Sequence, residues 1–143
     1  MIRLLLPITL VLSAAALHAE NWSNWRGPLH NGSSPEKGLP EKFSKTDGVK
    51  WAATLPGSSA ATPIVLGDLV FLTAADPRTN KQSALCLDRR TGRELWRTGG
   101  SLLGLARGAL YVRTAKAGGP EGVQRLDIET GKPHWSHAGP GGR

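Results

Sequence analysis

The sequence is poor in cysteine and in stretches that could form long helices, and each shortage excludes a class of protein. The single cysteine, Cys86, excludes an intrachain disulfide and any zinc or iron–sulfur site that needs several cysteines. Gly (18) and Pro (10) make up close to a fifth of the 143 residues, a proportion that long helices tolerate poorly and that disfavours a helical bundle or coiled coil. Cys86 lies in the apolar run 84–87, which predicts a small buried residue rather than a reactive thiol.

The sequence also lacks a run of basic residues, although its formal net charge is +7, from Lys+Arg 18 against Asp+Glu 11. A chain that binds nucleic acid normally concentrates Lys and Arg in a stripe. Here acidic residues are interleaved with basic ones, which is typical of a solvated surface that favours anionic partners. We therefore expect no nucleic-acid partner.

The one long hydrophobic run stands at the N-terminus, where Arg3 precedes the apolar stretch Leu4–Leu17 and small residues lead to Ala19. This order is typical of a secretory signal peptide over residues 1–19, and the run is short for a membrane span. Cleavage after Ala16 and an uncleaved anchor are the alternatives. The sequence thus predicts export to a periplasmic or extracellular space, with only indirect membrane association.

Residues 20–48 carry few apolar side chains and many turn formers, so we expect an irregular lead-in. Trp22 and Trp25 stand out in it. Burial of a tryptophan ties a loose segment to a folded body, which predicts that both rings pack. A binding surface is the alternative for these two residues.

From Val49 onward, short apolar runs alternate with turn signals, a pattern that predicts four-stranded antiparallel meanders. A leading strand is expected around Val49–Leu55, and the two units span about 49–96 and 97–137. A period near forty residues with four strands per unit is typical of β-propeller blades. The predicted fold class is therefore all-β: an incomplete propeller over residues 49–143, with about two blades plus the leading strand.

The clearest internal repeat aligns residues 88–96 with 127–135, which are 39 positions apart and share the motif Asp-x-x-Thr-Gly-x-x-x-Trp. In such a turn the Asp accepts hydrogen bonds from backbone amides, the Thr braces it, and the Gly supplies a positive φ. The closing ring is expected to cross to the next unit. Trp51, Trp96 and Trp135 then become equivalent packing positions, with a ligand platform as the alternative.

These residues resemble the repeat of pyrroloquinoline-quinone-like β-propellers, in which the turn motif follows a strand pair similar to Thr62–Phe71 here. The segment Asn21–Pro28 looks like the N-terminus of exported members of that family. The resemblance covers most of residues 21–137. It implies a closed propeller of about seven or eight blades.

Two branches of that family imply different functions. Quinoprotein dehydrogenases hold the quinone with a calcium ion and often a pair of adjacent cysteines, whereas this chain has one cysteine and no matching Asp/Asn/Glu set. The other branch includes the non-enzymatic propeller component of the outer-membrane β-barrel assembly machinery. That component is usually a lipoprotein, and no lipid-attachment cysteine is present near the cleavage region here.

The resemblance to the second branch implies a binding or scaffold module without a cofactor, which engages protein or peptide partners through loops or a strand edge. The alternative is a fragment of a quinone-dependent dehydrogenase whose site lies in missing blades. Two units leave sheet edges and an inter-blade face open. We therefore expect the N-terminal portion of a longer propeller, with self-association as the alternative means of closure.

No catalytic, cofactor-binding or metal-binding residue is predicted. Several groups share residue types with known sites but lack their context: His134 and His137 with the distant His30 as metal ligands, Ser58–Ser59 as a nucleophile, Gly99–Gly100 and Gly118–Gly119 as phosphate loops, and Asp127 with Glu129 as a carboxylate pair. The histidines lack a third ligand and the serines lack a nucleophile elbow. The glycine pairs precede no expected helix, and Asp127 and Glu129 belong to the repeat turn.

Overall fold

The protein is built from β-strands. The computed structural model describes residues 20–59, 61–114 and 121–139, and contains no helix within them. The eight strands are β1 (Ile64–Leu66), β2 (Leu69–Ala75), β3 (Gln82–Asp88), β4 (Glu94–Gly99), β5 (Ser101–Ala106), β6 (Ala109–Thr114), β7 (Gly122–Leu126) and β8 (Pro133–Ala138). No helix in these ranges has the length and apolar character needed to cross a membrane. The predicted signal peptide, residues 1–19, lies outside the described residues.

The strands form two four-stranded antiparallel meanders in the order β1-β2-β3-β4 and β5-β6-β7-β8. The two-residue turns at their inner hairpins contain Gly67 and Gly108, both at positive φ, as hairpin turns of this length require. Each sheet has a bulge between its third and fourth strands, at Cys86/Leu87 and Arg125/Leu126. This architecture confirms the predicted all-β class with two blade-like units that do not close into a ring.

The main core lies between the two sheets. One face of the first sheet contributes Phe71 and Cys86, which are fully buried, and one face of the second contributes Leu110, Val112 and Leu126. Burial of Cys86 follows the prediction from its apolar run, and this burial raises the pKa of its thiol to about 12. Since the two sheets share one core, they pack as successive layers.

A second core lies on the other face of the first sheet. Here the side chains of strands β2 and β3 are covered by the segment 51–55, which follows the lead-in, rather than by another sheet. The buried residues are Val70, Leu72, Ala74, Leu85 and Leu87, and Trp51, Ala53, Leu55 and Val65 pack against them.

The leading strand expected around Val49–Leu55 is not a strand in the structure. A strand needs a neighbouring sheet edge for its backbone N–H and C=O groups, and this segment instead uses its side chains to cover a sheet face. Ser58, three residues beyond this segment, forms an isolated bridge to Ala75. The sequence pattern therefore identified a buried segment but assigned it the wrong backbone pairing.

The lead-in tryptophans behave differently from each other. Trp22 exchanges two backbone hydrogen bonds of 2.8 Å with Val65, and its ring lies so close to Gly27 that a Cβ there would be 2.6 Å from it. The packing prediction is confirmed for Trp22. It is wrong for Trp25, which is 75% exposed and has only the Arg26 guanidinium over its ring, 5.7 Å from the centroid.

Candidate functional site

The two repeat turns have the same hydrogen-bond geometry. The Thr91 amide and hydroxyl donate to Asp88 Oδ1 at 2.7 and 2.6 Å. The Thr130 amide and hydroxyl donate to Asp127 Oδ1 at 2.8 and 2.7 Å. These hydrogen bonds, above all those from the threonine hydroxyls, hold the pKa of both aspartates below its ordinary value. Both turns close on a glycine at positive φ, Gly92 and Gly131.

A tryptophan from the preceding part of the chain sits on each of these turns. Trp51 Nε1 donates to the Arg89 carbonyl at 2.8 Å, and a Cβ on Gly92 would lie 2.4 Å from the Trp51 ring. Trp96 Nε1 donates to the Ile128 carbonyl at 3.0 Å, and a Cβ on Gly131 would lie 2.6 Å from the Trp96 ring.

The glycine in each turn therefore serves two purposes, since it supplies a positive φ and leaves space for an indole. This contact confirms the prediction that Trp96 crosses to the next unit, and Trp51 makes the equivalent contact with the turn of the first meander. It also explains the spacing of the repeat. A closing tryptophan must be followed by a complete meander before the next Asp-x-x-Thr-Gly turn can meet it.

Trp135 occupies the third equivalent position but has no such turn among the described residues. It is 44% exposed, and its ring meets Tyr111 edge-on with centroids 6.3 Å apart. In the first unit the corresponding pair, Phe71 and Trp96, has centroids 5.9 Å apart and is covered by the second sheet.

The outer edge of the second sheet is formed by β8, whose six residues are all exposed. The Gly139 amide donates to the Glu121 carbonyl at 2.6 Å, so these two residues form a hydrogen-bonded pair. In an antiparallel ladder such pairs alternate with pairs that are not hydrogen-bonded. Residues at alternate positions then pair with β7, while the N–H and C=O of Ser136 and Ala138 point away from the sheet. This edge is a backbone surface on which a further strand can be added.

The histidines and serines that resemble known sites in the sequence do not come together in the described part of the chain. His134 Nε2 lies 3.7 Å from Asp127 Oδ2 in the repeat turn, and His137 pairs with Val123 in the sheet. Ser58 bridges to Ala75, and the Ser59 hydroxyl is 3.5 Å from the Ala61 carbonyl. Within the described ranges no group of three or more His, Cys, Asp or Glu side chains is placed to hold a metal ion.

Gly99 and Gly100 connect the two sheets, and they line an open hollow of about 640 Å³. The hollow is walled by Thr79, Asn80, Lys81, Gln82, Ser101, Arg113, Thr114 and Glu121. Its closest charge pair, Arg113 and Glu121, is 3.9 Å apart and well exposed, so solvent screens it.

Gly118–Gly119 lies outside the described residues. The Glu129 amide donates a hydrogen bond to Asp127 Oδ1 at 3.2 Å and so belongs to the repeat turn.

Four-stranded antiparallel units that dock through a repeated tryptophan–turn contact define a repeat protein with propeller-type blades. Within that class, the sequence matches the family described as outer membrane protein assembly factor BamB at residues 42–102 and again at 78–143, and the chain belongs to this family of PQQ-like repeats. The overlapping matches cover both units, in agreement with the resemblance inferred from the repeat motif.

A curated relative gives a second comparison. The chain is 27% identical over 128 residues to a polyvinylalcohol dehydrogenase from a Pseudomonas species. The matched region covers 81% of this chain but only 19% of that enzyme. The chain therefore spans about a fifth of the length of this relative.

Proposed function

We propose that this chain is an exported binding module that presents a strand edge and loops to protein or peptide partners, and that it forms part of a longer propeller. The export proposal rests on the charged, apolar and small-residue order of residues 1–19. Residues 20–48 form the lead-in and 49–143 the partial propeller in this proposal. The family to which the chain belongs, described as an assembly factor, supports a binding role.

The observation that carries the proposal is the open edge of β8. All six of its side chains are exposed, and Ser136 and Ala138 direct their backbone groups outward. An extended peptide can use those groups as a sheet does, with main-chain hydrogen bonds supplying affinity. The formal charge of +7 favours an acidic peptide over a basic one.

The test is a binding measurement with defined peptides. We expect fluorescein-labelled acidic peptides that alternate Glu with Val or Thr to bind the full chain in a fluorescence anisotropy titration. Ser136→Pro removes an outward N–H without removing a bond to β7, and should weaken binding about tenfold or more. Ser136→Ala is the matched control and should bind like the parent chain.

Amide spectra of both variants establish whether β7 and β8 remain paired. Equal affinity of a folded Ser136→Pro variant would contradict binding at this edge. Absence of binding by any peptide of the panel would contradict the proposed peptide-binding function as a whole.

A second candidate function is supported by the match to polyvinylalcohol dehydrogenase. In that case the chain would be a fragment of a quinone-dependent oxidoreductase. Its own residues do not fit the cofactor, because the sequence has a single cysteine and the described ranges hold no acidic or histidine cluster for a calcium ion. We therefore propose that this chain has no catalytic constellation of its own.

Titration with pyrroloquinoline quinone and Ca²⁺ distinguishes the two candidates. We expect no shift in the quinone absorbance and no dye reduction when a polymeric or simple alcohol is added. A saturable absorbance shift with one quinone per chain would favour the oxidoreductase candidate.

A further inference from the structure

The hollow at the junction of the two units is a hydrophilic cavity. Its volume of about 640 Å³ is in the range of small-molecule sites. Three parts of the chain line it: the β2–β3 loop with the start of β3 (79–82), the β4–β5 connection (99–101), and the end of β6 with the residue that precedes β7 (113–114 and 121). None of the lining residues is a large apolar one, so the hollow favours a hydrophilic ligand.

Strand alternation turns side chains of both sheets toward the hollow. Gln82 lies two residues before Ala84 in β3, and Thr114 lies two residues after Val112 in β6. Ala84 and Val112 are both buried in the core between the sheets. Because side chains two residues apart share a face, Gln82 and Thr114 lie on the faces that the sheets turn toward each other. The hollow is therefore the open end of the inter-sheet core, with one wall from each unit.

Backbone hydrogen bonds hold the first wall in place. In the β2–β3 loop the Asn80 amide donates to the Asp76 carbonyl at 2.8 Å, and the Asp76 amide donates to the Lys81 carbonyl at 3.0 Å. The Gly100 amide donates to the Gln82 carbonyl at 2.9 Å, which ties the β4–β5 connection to this loop. Polar groups that are fixed before binding lose little freedom when a ligand arrives.

The hollow offers hydrogen-bond donors that the protein does not use. The lining side chains that form no hydrogen bond or ion pair with another described residue are Asn80, Lys81, Gln82, Ser101 and Thr114. Each of them carries an N–H or O–H donor. A group of donors around one cavity fits a ligand that is rich in acceptor atoms.

The charges of the hollow favour an anion. Lys81 has no carboxylate partner among the described residues. Arg113 lies 3.9 Å from Glu121, so the one carboxylate of the hollow already faces a cation. The two cations exceed the single carboxylate, and donors bind an anionic acceptor more strongly than a neutral one. A metal ion is a poorer occupant, because Glu121 is the only anionic ligand that the lining supplies.

We propose that this hollow binds a small hydrophilic anion, an organic acid or a phosphate ester, whose carboxylate or phosphate group contacts Lys81, Gln82 and Ser101. The ligand touches both units at once and therefore stabilises their packing when it is bound. The site lies between two units that are both present in this chain. It depends neither on further units nor on peptide binding at β8.

Titration of the full, isotope-labelled chain with sodium phosphate and with sodium succinate tests the proposal at constant ionic strength. We expect saturable shifts of the Gly100 and Ser101 amide signals in NMR spectra, with a Kd on the order of 1 mM for at least one anion. Tighter binding of phosphate would indicate a phosphate ester, and tighter binding of succinate would indicate an organic acid. Shifts that saturate with neither anion would overturn the proposal.

Substitutions that remove one charge each test the electrostatic argument. Lys81→Gln removes a cation from the hollow and should raise the Kd about tenfold. Glu121→Gln removes a carboxylate that repels the ligand and should lower the Kd about threefold. Arg78→Gln is the matched control, because the Arg78 side chain belongs to the same loop and is 90% exposed but does not line the hollow. It should change the Kd less than about twofold.

All three substituted residues are exposed, and amide spectra establish that each variant keeps the fold. Equal effects of Lys81→Gln and Arg78→Gln would overturn the proposal, because they would show only long-range attraction by the positive chain. Saturable binding of sorbitol that neither Lys81→Gln nor Glu121→Gln changes would assign the hollow to a neutral ligand instead. Ser136→Pro, which tests the β8 edge, should leave the affinity for both anions unchanged, so the two proposals fail separately.

Discussion

Asp88 and Asp127 organise their turns through one carboxylate oxygen each. That oxygen accepts from both the amide and the hydroxyl of a threonine three residues later. The motif made this role predictable from the sequence, because an Asp followed by Thr-Gly can form such a turn locally. The exposure of Trp25 was not predictable in the same way, since nothing nearby in sequence shows whether a loop ring finds a surface.

The turn aspartates give the protein an acid-sensitive component of stability. The pKa of each is lower in the folded chain than its ordinary value of 3.8, so folding favours the ionised form. That stability is fully present above the unfolded pKa, and it is lost as the pH falls through 3.8 and then through the folded pKa.

We therefore expect the free energy of unfolding in urea to fall between about pH 5 and pH 2.5. The double variant Asp88→Asn with Asp127→Asn should be less stable at pH 7 and should show a smaller decrease on acidification. Asp47→Asn in the lead-in is the matched control. An unchanged pH dependence in the double variant would contradict the role of the turn aspartates.

At the scale of elements, the tryptophan–turn contact packs the turn of each meander against a tryptophan from the preceding segment of the chain. The motif and its period predicted the contact, because the ring recurs at the spacing that inter-unit packing requires. The strands were predicted from their apolar runs, and β2, for example, was expected at 69–73 and extends over Leu69–Ala75.

The prediction of a strand at 49–55 is wrong for a physical reason. Alternation of apolar and polar residues shows which side chains face a core, but not whether a sheet edge stands beside the backbone. Trp51 and Leu55 have the burial of a strand's inner face without a strand's pairing.

A pair of glycine substitutions measures the tryptophan contact. Gly108 and Gly131 have positive φ values of 70° and 68°, but a Cβ would meet nothing within 4 Å at Gly108 and the Trp96 ring at Gly131. Gly108→Ala should therefore cost about 1 kcal/mol of backbone strain. Gly131→Ala should cost roughly 2 kcal/mol more, because Trp96 must move.

Urea unfolding of both variants, followed by circular dichroism, gives the comparison. Equal losses at Gly108 and Gly131 would show that the ring is not held on the turn.

At the scale of the whole molecule, the two sheets are joined by the shared core, by the hydrogen bond from Trp96 to Ile128, and by a second partly buried hydrogen bond. The Leu102 amide donates to the Thr73 hydroxyl at 2.8 Å, and Thr73 is buried. This cross-sheet bond could not be predicted from the sequence, because Thr73 is an ordinary strand residue until the relative placement of the sheets is known. The same holds for the open face and edge of the second sheet.

The Thr73 hydroxyl can be removed without changing the shape of the side chain. Thr73→Val leaves the Leu102 amide without its acceptor and should cost about 1–3 kcal/mol of unfolding free energy. Thr73→Ser retains the hydroxyl and should cost less. Equal stability of the two variants in urea would indicate that the cross-sheet hydrogen bond contributes nothing.

The tryptophan that holds a turn always precedes it in the chain, by 38 residues for Trp51 and Arg89 and by 32 for Trp96 and Ile128. For Trp96, the indole and the whole first sheet are therefore synthesised before the meander β5–β8 that covers them. We expect the second unit to fold onto the first unit, in order from the N-terminal side, rather than together with it.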